Sequence, residues 1–199
     1  MMKTKYFAFI LLAVFGASLA CGQESKCRDI ARREYPNDAR MQEYTYNKQR
    51  DAARYMASVS DYEVKKIALQ EYPEDFSMQK YTYDKQLAAK RYMSSVNDYQ
   101  VKKIALQEYP ADFSMQKYTY DKQLAAKNYM ATVRDSEVKQ IATREYPADF
   151  SMQKYTYDKQ LSAKEYMRAM PSGSAKQAAM REYPNDYSMQ KYTYDRFHR

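Results

Sequence analysis

Tryptophan is absent, and the 199 residues hold only three glycines, two cysteines and one histidine. A lone His leaves no material for a histidine-rich metal cluster, three Gly leave little for a glycine-rich phosphate loop, and no repeat unit contains a credible nucleophile or triad. Two cysteines exclude a disulfide-dense scaffold. These shortages speak against an enzyme. Apolar runs are also scarce, with one exception at the N-terminus. There Lys3 and Lys5 precede an apolar stretch from Tyr6 to Leu19, closed by small residues at Ala20. The stretch is shorter than the ~20 residues that span a bilayer, and small residues and a Cys follow it at once. That is the layout of a secretory signal peptide. Residues 1–20 are therefore assigned to a signal peptide, 21–23 to an N-terminal tether and 24–199 to the folded domain. Without Lys3 and Lys5 the formal charge falls from +8 to +6.

Cleavage after Ala20 makes Cys21 the first residue, and Ser18-Leu19-Ala20-Cys21 resembles a bacterial lipobox, with Ser18 where Leu is usual. Lipidation of Cys21 would hold the protein on a membrane. The alternative is ordinary signal-peptidase cleavage, since Ser18 and Ala20 are small residues at the positions that enzyme reads. Export also permits a Cys21–Cys27 disulfide. Against it, Cys27 stands where later repeats have Val64, Val101 and Val138, which favours a small buried apolar role.

What the chain has instead is tyrosine, 23 of them, and a period. The string from Glu71 to Met93 begins again, in close variants, at Glu34, Glu108, Glu145 and Glu182, every step being 37 residues. The units starting at Glu71 and Glu108 share 27 positions. Such regularity marks a repeat array. Near-identity between copies also reflects duplication, so a residue's recurrence is not by itself a sign of function.

Each unit reads as two helices. The shorter runs from about Asp61 to Glu71, with Ser60 as cap, Glu63 completing a capping box and Val59 and Val64 at staple spacing. In a later unit Arg134 cannot cap, and Asp135 takes over. The short helix carries a narrow stripe of Val64, Ile67 and Ala68. Pro73 stops it by pushing Tyr72 out of the α region. Asp75 caps the longer helix, Phe76 to about Ser95. A wheel places Met78, Tyr81, Ala88, Ala89, Tyr92 and Val96 on one face and Phe76, Tyr83 and Leu87 nearly opposite, with Lys80, Asp84 and Arg91 on a solvated strip. A helix with two apolar faces needs cover on both sides, which stacked hairpins provide. The fold expected is all-α, an α-solenoid of about four and a half hairpins. Polar replacements at the edges, Ala39, Arg40 and Arg50 for Phe76, Ser77 and Leu87, suit terminal repeats. Met170-Pro171-Ser172-Gly173-Ser174 is a softer joint or a helix start at Ser172. The two-helix unit resembles the α-solenoids as a class, whereas the ~34-residue tetratricopeptide signature does not fit.

Met78 and Met93 could ligate a soft metal, but their wheel positions assign them to packing. Tyr81 and Tyr92 fall mid-face and are assigned to the core. Glu71 falls among Val64, Ile67 and Ala68, so it is read as a buried carboxylate satisfied by a hydroxyl, a Lys or helix amides. The competing reading makes it one of a row of Glu lining a groove for a cationic ligand. Glu71, Tyr72, Pro73, Asp75, Tyr81, Tyr83, Leu87 and Tyr92 are the structural repeat positions; no catalytic residue, metal site or cofactor is assigned. Function is read as an exported, non-enzymatic scaffold of the cell envelope, outer membrane or periplasm, that binds protein or peptide. The alternative is a polysaccharide module using exposed Tyr and Lys. Exposed tyrosines in register every 37 residues favour sugar, and a mixed apolar groove favours peptide. Export argues against nucleic acid, and a membrane is met only through an N-terminal lipid. Acylation of Cys21 predicts that Cys21→Ser moves the protein from the membrane to the soluble fraction and abolishes lipid labelling. An unmodified mature N-terminus by intact mass rules it out.

Overall fold

A computed structural model describes residues 22–197. They form ten helices and, among the described residues, no strand. The signal-peptide and Cys21 assignments fall outside them. The helices are α1 (residues 22–34), α2 (Ala39–Ser58), α3 (Tyr62–Glu71), α4 (Phe76–Ser95), α5 (Tyr99–Glu108), α6 (Phe113–Thr132), α7 (Ser136–Glu145), α8 (Phe150–Ala169), α9 (Ser174–Glu182) and α10 (Tyr187–Arg196). Short and long helices thus alternate with the 37-residue period, and the bounds expected for α3 and α4 hold to within a residue. Two compact units are distinguished, residues 22–91 and 92–197, the division falling inside α4. In the second unit each short helix packs on the long helix that follows it, α5 on α6, α7 on α8 and α9 on α10. The long helix α8 also lies against both α6 and α10. In the first unit α2 and α4 are joined by the same side-chain bonds that join α6 to α8. No described helix is long and apolar enough to cross a membrane.

Aspartate starts nearly every helix. Asp75, Asp112, Asp149 and Asp186 accept the backbone N–H of the residue three places on at 3.0 Å, as caps of the long helices should. The short helices depart from the capping box expected at Ser60. Asp61, Asp98 and, as expected, Asp135 are the caps, accepting from Val64, Val101 and Val138 at 3.0–3.1 Å. A carboxylate at a helix N-terminus gains both a charge-assisted hydrogen bond and a favourable dipole, which a hydroxyl one place earlier cannot match. Each of these carboxylates also receives a lysine from the long helix that follows, Lys90, Lys127 and Lys164. Those lysines, then the cap N–H, hold Asp98 and Asp135 below the usual carboxylate range. Among α2–α10 only α9 lacks a side-chain cap: it opens at Gly173, so the helix starts beyond Ser172.

The core runs along a seam that hydrophobicity alone would not pick. On α6 the buried residues are Gln116, Thr119, Tyr120, Gln123, Ala126 and Met130, and α8 repeats them one period on. Tyr120 of α6 and Met93 of α4 pack on Val101 and Ala105 of α5, with Leu124 and Phe150 closing the cluster, and Met130 joins Val138, Ala142 and Tyr157 one period on. The assignment of Tyr83 and Met93 to packing therefore holds, and Leu87 and Phe76 are half-buried beside them. Cys27 takes the valine position as expected, fully buried with Ala31, Tyr46 and Ala53.

Successive long helices meet through a polar joint. Tyr92 donates to Asp121 at 2.5 Å, Lys117 donates to the other oxygen of Asp121, and the Lys117 ammonium sits 4.6 Å above the Tyr92 ring. Tyr129, Asp158 and Lys154 repeat this set, as do Tyr166, Asp195 and Lys191, and Tyr55, Asp84 and Lys80 in the first unit. Each of these tyrosines meets the edge of the next repeat's buried tyrosine, as Tyr92 does Tyr120 at 6.1 Å. The hydrogen bond to the carboxylate, then burial, pushes the Tyr92 and Tyr129 hydroxyls up to about 12. Burial raises Asp121, but Lys117 and Tyr92 outweigh it and leave the carboxyl below its ordinary range. For a hydroxyl raised above its unfolded value of about 10, the stabilisation is complete below that pH and is lost as pH rises towards 12. For the lowered carboxyl it is present above about pH 4 and is lost as pH falls. Melting temperature should therefore hold between about pH 5 and 9 and drop on both sides. Tyr92→Phe with Tyr129→Phe should make the alkaline drop shallower, as read by circular dichroism; an unchanged alkaline limb would contradict the joint.

Candidate binding surface

Four tyrosines recur in every full repeat, and three have structural duties. Tyr72 closes α3, its backbone N–H donating to the Ala68 carbonyl and its own carbonyl accepting from the Gln79 amide at 2.6 Å. Tyr83 is buried, with its hydroxyl accepting the Asp61 N–H at 3.4 Å. Tyr92 forms the joint described above. The fourth, Tyr81, is 61% exposed. This corrects its assignment to the core: the buried stripe of the helix passes through Gln79, Thr82, Tyr83, Gln86, Ala89 and Met93, leaving Tyr81 and Ala88 outside. The wheel erred because it counted Gln79 and Gln86 as polar and Tyr81 as apolar. An amide with partners can be buried, and a tyrosine with nothing to pack against stays out.

The same placement recurs at every copy. Tyr44, Tyr118 and Tyr155 are 61–62% exposed and Tyr192 is 56% exposed. One turn further along each helix stands an exposed cation, Lys48, Lys85, Lys122, Lys159 or Arg196. The sequence reading named Lys80, Asp84 and Arg91 for the solvated strip and passed over Lys85. Its i, i+4 spacing from Tyr81 was the signal available.

Glu71 also differs from expectation, being exposed. A wheel gives angle and not axial position, and Glu71 is the last residue of α3, a turn beyond the packed Ala68. Its copies in the second unit, Glu145 and Glu182, border an open cleft of about 440 Å³ with Ile141, Arg144 and Tyr183. Glu145 raises the hydroxyl pKa of Tyr146 by its charge, and Glu182 raises that of Tyr183 chiefly through a hydrogen bond. Glu145 and Glu182 thus border a cleft while each engages a tyrosine hydroxyl, so the expected hydroxyl partner is kept and the expected burial is not.

A second exposed apolar feature lies on the short helices. Tyr99 and Leu106 of α5 are 80% and 42% exposed around a shallow hollow with Lys102 and Lys103, and Tyr62 and Leu69 of α3 match them. Ser136 and Thr143 replace this pair on α7, so the feature does not follow the repeat. Among the described residues no group of three His, Cys, Asp or Glu side chains could hold a metal ion. Met56, Met93, Met130 and Met167 are all buried in packing.

Comparison with protein-family models, with curated proteins and with solved structures found no match.

Replacing Tyr157, which is 3% exposed, with Ala should cost roughly 3–5 kcal/mol. Tyr155→Ala, two residues away, should change stability by less than about 0.5 kcal/mol. Chemical denaturation of the two variants checks the assignment, and equal losses would place Tyr155 in the core.

Proposed function

We propose that this chain is an exported, non-enzymatic α-solenoid of about four and a half hairpins that binds an extended polysaccharide of the cell envelope. The observation supporting this reading is the set of five exposed tyrosines, Tyr44, Tyr81, Tyr118, Tyr155 and Tyr192, one per repeat. A tyrosine ring offers a large, rigid, amphipathic surface and loses little side-chain entropy on contact. A pyranose presents one face of C–H groups to such a ring while its hydroxyls reach flanking polar side chains. Within the second unit the consecutive long helices α6, α8 and α10 pack at ~8–10 Å, so neighbouring rings there meet successive segments of an extended chain rather than one small ligand. Several weak contacts along one polymer then add through effective concentration.

Protein or peptide binding is the second reading, supported by Tyr99 and Leu106 on α5 and their counterparts on α3. It ranks lower because α7 lacks the pair, so the surface covers only part of the array. In either reading the cell envelope is the working compartment, reached through the signal peptide and held through Cys21 or by retention in the periplasm. Neither calls for a cofactor or a nucleic acid.

Affinity electrophoresis in gels containing the envelope polysaccharide fraction tests the proposal. The purified chain should be retarded, and Tyr118→Ala, Tyr155→Ala and Tyr192→Ala combined should abolish the retardation while keeping the helical circular dichroism spectrum. Retardation unaffected by the triple substitution would sink the reading.

A further inference from the structure

We infer that the polysaccharide bound is anionic, with each repeat supplying one tyrosine–cation pair as a subsite; this rests on the glycan reading above. Lysines on the long helices fall into three kinds. Lys117, Lys154 and Lys191 are ion-paired with Asp121, Asp158 and Asp195 in the joints. Lys127 and Lys164 are ion-paired with the caps of the short helices. The third kind, Lys122 and Lys159 in the second unit and Lys48 and Lys85 in the first, is exposed and has no carboxylate within ion-pair distance among the described residues. Arg196 takes the same place on α10, its guanidinium 5.9 Å from the Tyr192 ring centre.

These unengaged cations are the ones that stand a single turn from the exposed tyrosines. In the second unit the pairs are Tyr118 with Lys122, Tyr155 with Lys159 and Tyr192 with Arg196, carried on long helices that pack directly on one another. Of the carboxylates near the rings, Glu108 beside Tyr118 is exposed, and the others have partners. Asp121, Asp158 and Asp195 accept from the joint residues, and Glu145 and Glu182 are engaged by Tyr146 and Tyr183. Glu165 also lies on this exposed face, ten residues beyond Tyr155 and so about 15 Å along the helix. What a ligand lying across the rings meets is therefore aromatic faces alternating with unpaired positive charge. A linear glycan bearing a carboxylate, sulfate or phosphate along its length complements both features at once. A neutral glycan uses only the rings.

The test uses two polymers with one backbone, carboxymethylcellulose and hydroxyethylcellulose, and polyglutamate as an acidic polymer without sugar. The purified full chain should bind carboxymethylcellulose at least tenfold more tightly than hydroxyethylcellulose, with affinity falling as salt rises from about 50 to 300 mM. Lys122→Gln, Lys159→Gln and Arg196→Gln together should remove that preference and leave hydroxyethylcellulose binding unchanged. A control with the same loss of charge on the short helices, Lys102→Gln, Lys103→Gln and Lys139→Gln, should keep it. Equal affinity for the two celluloses, both lost in the tyrosine variant, would overturn the anionic assignment and leave the glycan reading standing. Equal losses in the two charge variants would likewise overturn it, as would polyglutamate binding as tight as carboxymethylcellulose binding. Binding to no polymer would overturn the assignment and the glycan reading together.

Discussion

A buried glutamine amide sets how one repeat sits on the next. Gln123 of α6 donates to the Asp149 carboxylate at 2.8 Å and accepts the Ser151 N–H at 3.2 Å, both at the start of α8. Gln160 does the same for Asp186 and Ser188, and Gln49 for Asp75 and Ser77. The oxygen that takes the amide also caps its own helix, so one carboxylate atom fixes both where α8 begins and where α8 lies on α6. Leucine in place of Gln123 would leave a helix N–H and part of a carboxylate unsatisfied, at a cost of about 1–3 kcal/mol for each buried group. Glutamate would set two like charges together. The register between long helices is thus a matter of donors and acceptors, with apolar packing supplying the bulk of the burial.

That division explains what could be read in the sequence and what could not. Period, helix lengths and the long-helix caps were legible because Pro73, Asp75 and the 37-residue spacing act locally. The short-helix cap was read correctly only at Asp135 and missed at Asp61 and Asp98, although the signal was present: the Asp recurs, while the preceding place drifts through Ser60, Asn97 and Arg134. Tyr81 and Glu71 were misplaced because burial here depends on satisfied hydrogen bonds. Gln79 can be buried only because the Tyr72 carbonyl lies within reach, and nothing in a helical wheel reports a carbonyl seven residues back. The candidate surface was half legible. Exposed tyrosine in register was a named possibility, yet the residue to look at became apparent only when the other three tyrosines were accounted for.

The first repeat shows how the polar joint responds when its residues change. Where later repeats have Phe, Ser, Lys and Asp, α2 has Ala39, Arg40, Glu43 and Asn47. The pair one turn apart is still bonded, but with the roles reversed: the Asn47 amide donates to Glu43 at 2.8 Å. Arg28 and Arg50 stand 4.5 and 5.5 Å over the Tyr46 ring, where a later repeat has a tyrosine edge. The side of α2 that corresponds to the receiving face of the other long helices is therefore charged and lacks the carboxylate that accepts a tyrosine. A surface of this composition discourages another hairpin from adding there, which is the usual requirement on a terminal repeat.

The same drift bears on whether the exposed tyrosines matter. Copies this alike share residues by descent, so a tyrosine common to the middle repeats carries little weight. In α2, however, four of the nine positions from 39 to 47 have changed, and two of them, Glu43 and Asn47, stand where the joint has Lys and Asp in other repeats. Tyr44 lies among them, is exposed, and is unchanged, as is Lys48 one turn on. At the other edge Gln86 and Leu87 have become Phe197 and His198, while Tyr192 is retained and Lys85 has become Arg196, keeping the charge. An exposed ring contributes little to stability, so the retention of Tyr44 and Tyr192 at both edges supports the surface role proposed above. In α2 the buried Thr45, Tyr46 and Gln49 are retained as well, and the ring and its neighbouring cation stay beside joint residues that have changed.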